Sequence, residues 1–275
     1  MIQSIDKRLG FIQNSIKKGD GEKLEGSREC QMLRPDTSFL IKGLIDLIFP
    51  PLCAFCGTPL AEDDGGEICP GCLRSVRFIS PPICPTCGLP FTARSGEDHL
   101  CGQCLRGKWH FGSARALGVY EGPLREAIHA LKYEGKAFLA KPMVGLFDRG
   151  YPFMDYGSYD LLVPVPLHPK RLRERGFNQA LVLARLIGRR EGVPCTGFAL
   201  RKTRPSAPQI HLNPREREKN VKGSFAVVDP AKVEGKRVLL IDDVMTTGST
   251  VNECARELLK AGTAEVDVLT LARAV

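Results

Sequence analysis

The segment Arg237–Thr250 constrains the fold of this chain most strongly. It reads RVLLIDDVMTTGST, in which an apolar run too short for a helix is followed by two acids and a loop of hydroxyl residues and glycine. The next segment, Ser249–Ala261, carries apolar residues on one stripe and is followed by Gly262, a pattern typical of a helix with a glycine C-cap. A strand, a tight loop and a helix in this order predict one βα unit of a parallel sheet.

The second half of the chain continues this alternation of strands and helices. A sheet of this kind binds its ligands beyond the carboxyl ends of the strands. We therefore expect an α/β fold with a doubly wound, mostly parallel sheet and a site after Arg237–Ile241. The other expected strands are Ala114–Tyr120, Asp160–Val165 and Glu265–Leu271, and the other expected helices are Leu124–Lys132, Ala137–Arg149 and Phe177–Arg190.

The loop Thr246–Thr250 is suited to an anion. It offers consecutive backbone N–H groups, several hydroxyls and a glycine at the start of a helix, which together can hold a phosphate dianion. Two carboxylates, Asp242 and Asp243, stand just before it, where they can accept hydrogen bonds from vicinal ribose hydroxyls and help order Mg²⁺. A simple N-cap beside a solvated acidic turn is the weaker interpretation, because the whole pattern occurs in fixed order. The sequence predicts a binding site for the 5-phosphate of a ribose.

The thirteen residues Val238–Thr250 resemble the signature of type I phosphoribosyltransferases. The resemblance implies a site for phosphoribosyl pyrophosphate with Mg²⁺, and Asp242 and Asp243 as the catalytic acids that meet the ribose hydroxyls. It also implies that the 5-phosphate is held by Thr246, Thr247, Gly248, Ser249 and Thr250. Members that handle hypoxanthine have an aspartate at the position of Thr246, so a hypoxanthine-type activity is disfavoured.

Positive charge is concentrated between residues 168 and 222. The chain has a formal charge of +8, and this stretch alone has fourteen Lys and Arg against four Asp and Glu. Such a one-sided segment indicates an anionic partner, either pyrophosphate or a nucleic-acid backbone. A first basic loop, stiffened by prolines, offers Lys170, Arg171, Arg173 and Arg175. A second, Lys202–Lys222, offers Arg204, Arg215, Arg217 and Lys219 and is either a loop that closes over the substrate or a surface arm.

Eight of the eleven cysteines form four CxxC pairs. Twelve residues separate the first two pairs and thirteen the last two, so the spacing predicts two structural zinc ribbons in series, each with four thiolates and no open position. An interleaved pairing, first with third and second with fourth, stays open. Disulfides or thioredoxin-like chemistry would not require four pairs. The predicted ligands are Cys53, Cys56, Cys69 and Cys72 for one zinc, and Cys84, Cys87, Cys101 and Cys104 for the other.

These features divide the chain into three parts: a loose extension over 1–38, a double zinc-ribbon module over 39–111 and a phosphoribosyltransferase-like domain over 112–275. No apolar run approaches the ~18 residues of a transmembrane helix. The nearest, Phe39–Leu52, is short and contains charges and prolines. We expect no signal peptide and a cytoplasmic location.

The combination of motifs resembles the ComF family. Its elements are ALKYEGK (Ala130–Lys136), VPVPLHPKRLRERGFNQA, a QxxLxxxxRxxNVxGSF pattern (Gln209–Phe225) and DDVMTTGST, all behind the cysteine module. The resemblance implies a role in natural transformation, with single-stranded DNA and proteins of the DNA-uptake machinery as partners. Two alternatives stay open: an active phosphoribosyltransferase that joins an unidentified nucleobase to phosphoribosyl pyrophosphate, and a sensor of a phosphoribosyl ligand without catalysis.

Overall fold

A computed structural model describes residues 49–61, 66–92, 95–150, 154–204 and 220–275. All of them belong to one compact unit, residues 46–275. The expected extension over 1–38 lies outside the described residues, as do residues 39–48 and the candidate cations Arg215, Arg217 and Lys219.

Four parallel strands form the central sheet, in the order β1-β6-β5-β2. The apolar half of β5 is completely buried between β6 and β2, as expected for the inner strand of a parallel sheet. A short antiparallel hairpin, β3–β4, forms a second sheet. The strands are β1 (Ala114–Val119), β2 (Leu161–Pro164), β3 (Leu200–Lys202), β4 (Phe225–Val227), β5 (Arg237–Met245) and β6 (Glu265–Arg273).

Helices cover both faces of the parallel sheet. The helices are α1 (Pro70–Ser75), α2 (Gly102–Arg106), α3 (Gly122–Tyr133), α4 (Ala140–Gly145), α5 (Pro169–Arg175), α6 (Gln179–Glu191) and α7 (Ser249–Lys260). One apolar core contains the inner faces of α3, α4 and α6. The other contains α7 and the β3–β4 hairpin. The expectation of a doubly wound, mostly parallel α/β sheet is therefore confirmed.

The two cysteine clusters pack into different cores. Ala54, Phe55 and Leu73, beside the first cluster, lie against the core of α3, α4 and α6. The cysteines of the second cluster lie within the core of α7. Between them, Phe78 forms an antiparallel bridge with Gly118 and covers the outer edge of β1. The cysteine-rich segment thus packs on both cores and along the β1 edge of the sheet.

Three sequence-based expectations about elements need correction. Residues Pro169–Arg175 form the helix α5 and not a loop, because Pro169 occupies its first turn and Gly176, with φ 79°, is its C-cap. The helix expected at Ala137–Arg149 is divided into a 3₁₀ turn, α4 and a second 3₁₀ turn, since Pro142 has no N–H to continue a helix begun at residue 137. The strand expected to end at Ile241 continues to Met245.

The continuation of β5 follows from its pairing. Asp242, Val244 and Met245 are in register with Thr270, Ala272 and Arg273 of β6. The backbone of the acidic pair is therefore part of the sheet. Across the ranges that are described, no helix is both long enough and apolar enough to cross a bilayer.

Candidate functional site

The loop between β5 and α7 turns sharply at Gly248. Its φ of 78° is the left-handed conformation that favours glycine. A Cβ at this position would lie 2.7 Å from Cε of Met245 and 3.0 Å from Cζ3 of Trp109. The sequence places a glycine here for two physical reasons, the backbone conformation and the close approach of these side chains.

Two hydroxyl groups of the loop lie within hydrogen-bond distance of each other. Oγ1 of Thr247 lies 2.9 Å from Oγ of Ser249. Thr246, Thr247, Ser249 and Thr250 are all half-buried, while Gly248 is buried. The helix α7 begins at Ser249, so its first N–H groups have no carbonyl of the preceding turn to bond. The five loop residues predicted from the sequence are thus together at the N-terminus of one helix, in a form suited to an anion.

Arg273, at the end of β6, stabilises the loop from its buried side. Its buried guanidinium donates to the carbonyl oxygens of Met245, at 3.1 Å, of Ala274, at 2.8 Å, and of Thr246. These bonds hold the carbonyl groups toward the interior and add a fixed positive charge beneath the loop. Sequence reasoning missed this residue, because nothing in the local pattern distinguishes the last residue of a buried strand as part of a site.

The second cysteine cluster also contacts the loop. Gln103 on α2 donates from Nε2 to the carbonyl oxygen of Thr247 at 3.3 Å. The backbone N–H of His110 donates to Oδ1 of Asn252, in the first turn of α7, at 2.7 Å. Together with Trp109 against Gly248, these contacts give the loop a wall built from residues 103–110. The sequence contained no signal for it, since the contacts join positions about 140 residues apart.

The two acids before the loop have different neighbours. Asp243 is buried, and its Oδ1 lies 2.7 Å from Nζ of Lys132 at the end of α3. Asp242 interacts electrostatically with Lys202 of β3 and with Cys254 of α7, on the opposite side of the sheet. This arrangement follows from the strand conformation, because successive side chains in a strand point to opposite faces.

Burial and a neighbouring negative charge set the protonation of Asp242. Burial, followed by the negative charge of Asp243, raises the pKa of Asp242 to about 7. Burial by itself would lower the pKa of Lys132, but the carboxylates of Asp243 and Asp242 outweigh it and the pKa is raised. Burial lowers the pKa of Lys202. The site therefore holds a fixed cation at Lys132 and a carboxyl group at Asp242 that titrates near neutrality.

Lys132 also lines a pocket of about 310 Å³ between the end of α3 and helix α5. Arg171 and Arg175 line its other side, so the pocket brings three cations together next to the acidic pair. The guanidinium of Arg175 stacks on the ring of Tyr133 at 4.9 Å.

Of the four cations predicted from the sequence of α5, Lys170 and Arg173 are exposed and do not line the pocket. Lys132 was not predicted as a site residue, although ALKYEGK contains it.

The eight cysteines of the CxxC pairs form two separate clusters. Each cluster gathers four Sγ atoms within 4.8 Å of one another, Cys53, Cys56, Cys69 and Cys72 in one and Cys84, Cys87, Cys101 and Cys104 in the other. This grouping confirms the serial arrangement and excludes the interleaved one.

The geometry of both clusters fits tetrahedral zinc. Zn–S bonds of 2.3 Å imply S···S distances of about 3.8 Å. Sγ of Cys56 lies 3.7 Å from Sγ of Cys69, and Sγ of Cys87 lies 3.6 Å from Sγ of Cys101. In each cluster a backbone N–H also points at a sulfur, from Cys69 to Cys53 and from Cys101 to Cys84. Four thiolates per ion leave no open position, so both zinc sites are structural.

Comparisons with known proteins relate two parts of this chain to known families. A family model described as a double zinc ribbon domain matches residues 44–105, and one described as a phosphoribosyl transferase domain matches residues 175–274. The DNA utilization protein YhgH of Escherichia coli K12 is 36% identical over 82% of this chain and 99% of its own length. Competence protein F of Haemophilus influenzae is 29% identical over 75% and 90%, and competence protein ComFC of Bacillus subtilis is 32% identical over 58% and 63%.

Solved structures show only a distant overall similarity. A glutamine phosphoribosylpyrophosphate amidotransferase from B. subtilis aligns with 50% of this chain and 26% of its own, at 23% identity and a TM-score of 0.31. The assignment of the fold rests on the family model and on the sheet itself.

Proposed function

Because this chain belongs to the ComF family, in which a double zinc ribbon precedes a phosphoribosyltransferase domain, we propose that its β5–α7 loop binds the 5-phosphate of phosphoribosyl pyrophosphate. The observation that carries the proposal is the loop Thr246–Thr250, with its hydroxyls and first helical N–H groups gathered at the start of α7. A phosphate dianion there would meet both hydrogen-bond donors and the positive end of the helix.

In this proposal the acidic pair, Asp242 and Asp243, binds the ribose hydroxyls and the water molecules of Mg²⁺. Asp242 is half-buried at the end of β5, close to the loop, and it can accept a hydrogen bond from a ribose hydroxyl or from water bound to Mg²⁺. Asp243 is held by Lys132 and is the less accessible of the two. We assign direct ribose contact to Asp242 first, with Asp243 contributing charge and orientation through Lys132.

The pocket between α3 and α5 is suited to the pyrophosphate group. Three cations line it, and Lys132 connects it to the acidic pair. Two carboxylates also line it: Glu134 pairs with Lys136 outside the pocket, whereas Glu174 pairs with Arg171, so a bound phosphate would have to replace Glu174 as the partner of Arg171. Guanidinium groups form paired hydrogen bonds to phosphate oxygens, so Arg171 and Arg175 are the expected ligands.

The cellular role proposed here is the handling of single-stranded DNA during uptake. The relatives are named for DNA utilization and for competence. On this chain, Lys170, Arg171 and Arg173 lie exposed on α5 and offer cations to a phosphate backbone. The pocket and this exposed cationic surface share Arg171, so a phosphoribosyl ligand and a DNA strand would meet at the same helix.

The central test is calorimetric titration with phosphoribosyl pyrophosphate and Mg²⁺. We expect the Asp242→Ala/Asp243→Ala variant to lose measurable affinity, whereas Asp229→Ala, which removes an exposed carboxylate paired with Lys232, should bind as the unmodified protein does. Ribose 5-phosphate should compete and ribose should not, because the phosphate provides the main contacts. Unchanged affinity in the double variant would exclude the proposed site.

A second candidate function is catalysis, which the pocket beside the acidic pair favours. The transferase would stabilise an oxocarbenium-like ribose with the carboxylates, while pyrophosphate leaves toward Arg171 and Arg175. Release of pyrophosphate in the presence of one member of a panel of purines and pyrimidines would establish it. If the protein binds phosphoribosyl pyrophosphate but releases no pyrophosphate with any base of the panel, the result would instead support a sensor without catalysis.

A further inference from the structure

We propose that the second zinc ribbon, residues 84–110, is a structural wall of the β5–α7 loop, and that its zinc-bound fold holds this loop in the conformation that binds phosphate. The part of this statement that concerns phosphate rests on the proposed function. The wall itself concerns only this chain and can be tested without any ligand.

The first contact comes from Gln103, which lies between two ligands of the same cluster, Cys101 and Cys104. The five-residue helix α2 fixes the direction of its side chain, and Nε2 donates to the carbonyl oxygen of Thr247 at 3.3 Å. A bond to this carbonyl holds it toward the ribbon, and because a trans peptide unit is planar, the N–H of Gly248 in the same unit points away from the ribbon. Gln103 is therefore a positioning residue, because it acts on the loop and not on the ligand.

The second contact comes from Trp109, five residues after Cys104. Its ring packs against Gly248 so closely that a Cβ there would lie 3.0 Å from Cζ3 and 3.2 Å from Cη2. Phe111, buried in the core of α7, supports the ring from the other direction, at 5.1 Å between centroids. The indole thus limits the space in which the turn at Gly248 can move.

The third contact fixes the first turn of α7. Asn252 accepts from the N–H of His110 at 2.7 Å and donates from Nδ2 to the carbonyl oxygen of Lys108 at 3.5 Å. The ribbon therefore contacts Thr247, Gly248 and Asn252, which lie before, at and after the start of the helix. Because three contacts of different kinds are spread along the loop, we infer that the ribbon positions the loop and does not only touch it at one point.

Zinc contributes to this wall because it joins the two halves of the ribbon, Cys84–Cys87 and Cys101–Cys104, and so fixes the position of α2. All four thiols of the second cluster are buried, and they themselves form part of the core of α7. Removing the zinc would release α2 and Trp109 together. The first ribbon packs against the other core, so its zinc should affect the loop much less.

Amide hydrogen exchange without ligand tests the wall directly. The matched variants are Cys101→Ser, in the second cluster, and Cys56→Ser, in the first. We expect exchange in the peptide covering residues 246–252 to become about tenfold faster or more in Cys101→Ser, and to stay within about twofold of the unmodified protein in Cys56→Ser. Equal exchange in all three proteins would overturn the proposal.

Gln103 provides a test that keeps the ribbon folded, should the cysteine variant fail to fold. Gln103→Met keeps a side chain of similar length without the donor and without a new charge, and Leu105→Ala, on the exposed side of α2, is the control. Loss of one hydrogen bond corresponds to about a twofold to tenfold weaker affinity for phosphoribosyl pyrophosphate with Mg²⁺, at an unchanged melting temperature and zinc content. Emission from Trp109, the single tryptophan of the chain, should shift in Gln103→Met and not in Leu105→Ala.

These measurements separate the wall from the proposed function. If the unmodified protein binds no phosphoribosyl ligand but the loop exchanges faster in Cys101→Ser, the function fails and the wall stands. If the protein binds the ligand but neither exchange nor tryptophan emission responds to the ribbon variants, the wall is wrong and the function stands.

Discussion

The ammonium group of Lys132 lies 2.7 Å from Oδ1 of Asp243, and only 15% and 11% of the two side chains are exposed. This ion pair joins the end of α3 to β5, the strand that leads into the β5–α7 loop. It also connects the pocket of Arg171 and Arg175 with the acidic pair, so one side chain contributes to both halves of the candidate site.

Replacing Lys132 should destabilise the fold. Lys132→Met leaves the carboxylate of Asp243 buried without its partner, and we expect the free energy of unfolding in urea to fall by about 3 kcal/mol. Lys141→Met removes a lysine whose pair with Glu67 is largely exposed, and should cost less than about 1 kcal/mol. Adding Asp243→Asn to Lys132→Met should recover part of the loss. A loss in Lys132→Met no larger than in Lys141→Met would contradict a structural role for the pair.

Ligand affinity should depend on pH through Asp242. Burial and the charge of Asp243 raise the pKa of this carboxyl group to about 7, so at pH 6 it is mostly protonated and cannot contact Mg²⁺-bound water as an anion. We expect affinity for phosphoribosyl pyrophosphate with Mg²⁺ to fall about tenfold between pH 8 and pH 6. Calorimetry on Asp242→Asn separates this effect from the titration of the ligand itself. The same pH dependence in both proteins would exclude Asp242 as its source.

The carboxyl group of Asp242 should also make the stability of the fold depend on pH, in the opposite direction to ligand affinity. Its folded-state pKa lies above the unfolded value of about 3.9, so the folded protein binds the extra proton between about pH 4 and pH 7. The contribution of Asp242 to stability therefore decreases as the pH rises through this window. Comparison of urea unfolding at pH 5.5 and pH 8, with Asp242→Asn as the reference, measures it.

Gly248 should tolerate no side chain. Gly248→Ala places a Cβ on a backbone with φ 78° and against Met245 and Trp109, so both strain and overlap disfavour it. Gly192→Ala has a similar φ of 73° with no atom within 4 Å, and reports the backbone strain alone, on the order of 1–2 kcal/mol. We expect Gly248→Ala to lower the melting temperature more than Gly192→Ala and to abolish ligand binding. Equal effects of the two changes would mean that the contacts of Gly248 do not matter.

Metal analysis should find two zinc ions per chain. Cys56→Ser and Cys104→Ser should each remove one, since each change leaves three thiols in one cluster. Cys195→Ser is the control, because Cys195 belongs to neither cluster, and it should leave both ions in place. Loss of both ions from a single ligand change would show that the two ribbons do not bind metal independently.

Binding of single-stranded DNA should depend on α5. The triple variant Lys170→Ala/Arg171→Ala/Arg173→Ala should bind an oligonucleotide more weakly and with a smaller dependence on salt concentration, by about one unit of slope for each phosphate that is no longer neutralised. A control that removes three exposed cations elsewhere, Arg125→Ala/Lys141→Ala/Arg149→Ala, should change both much less. Equal losses in the two variants would indicate an effect of net charge and not of α5.

The sequence predicted those parts of the molecule that local chemistry determines. The strand, loop and helix at Arg237–Ala261 follow from apolar spacing and a required glycine, and the zinc ligands follow from the spacing of the CxxC pairs. The serial pairing could not be decided from spacing alone. It became clear only when the sulfur atoms were found in two separate groups.

What the sequence did not predict depends on contacts between distant segments. Lys132 becomes a site residue only because α3 ends beside β5, and Arg273 only because β6 lies next to β5. The helix α5 differs from these two cases, because its signals are local: Pro169 in its first turn and Gly176 at its C-cap. Prolines at 164, 166 and 169 fit a stiff loop equally well, so the local pattern was compatible with two structures.

The position of β6 between β1 and β5 has a consequence for the order of folding. β1 joins the sheet through β6, and their paired residues are about 150 positions apart in the sequence. The pairing of β1 with β6 is therefore among the contacts of greatest sequence separation in the described fold, and such contacts form slowly. Both zinc ribbons precede these strands in the chain and can take up metal from their own thiols alone. A ribbon already rigid when the last strand docks would act as a template, against which the β5–α7 loop acquires its shape.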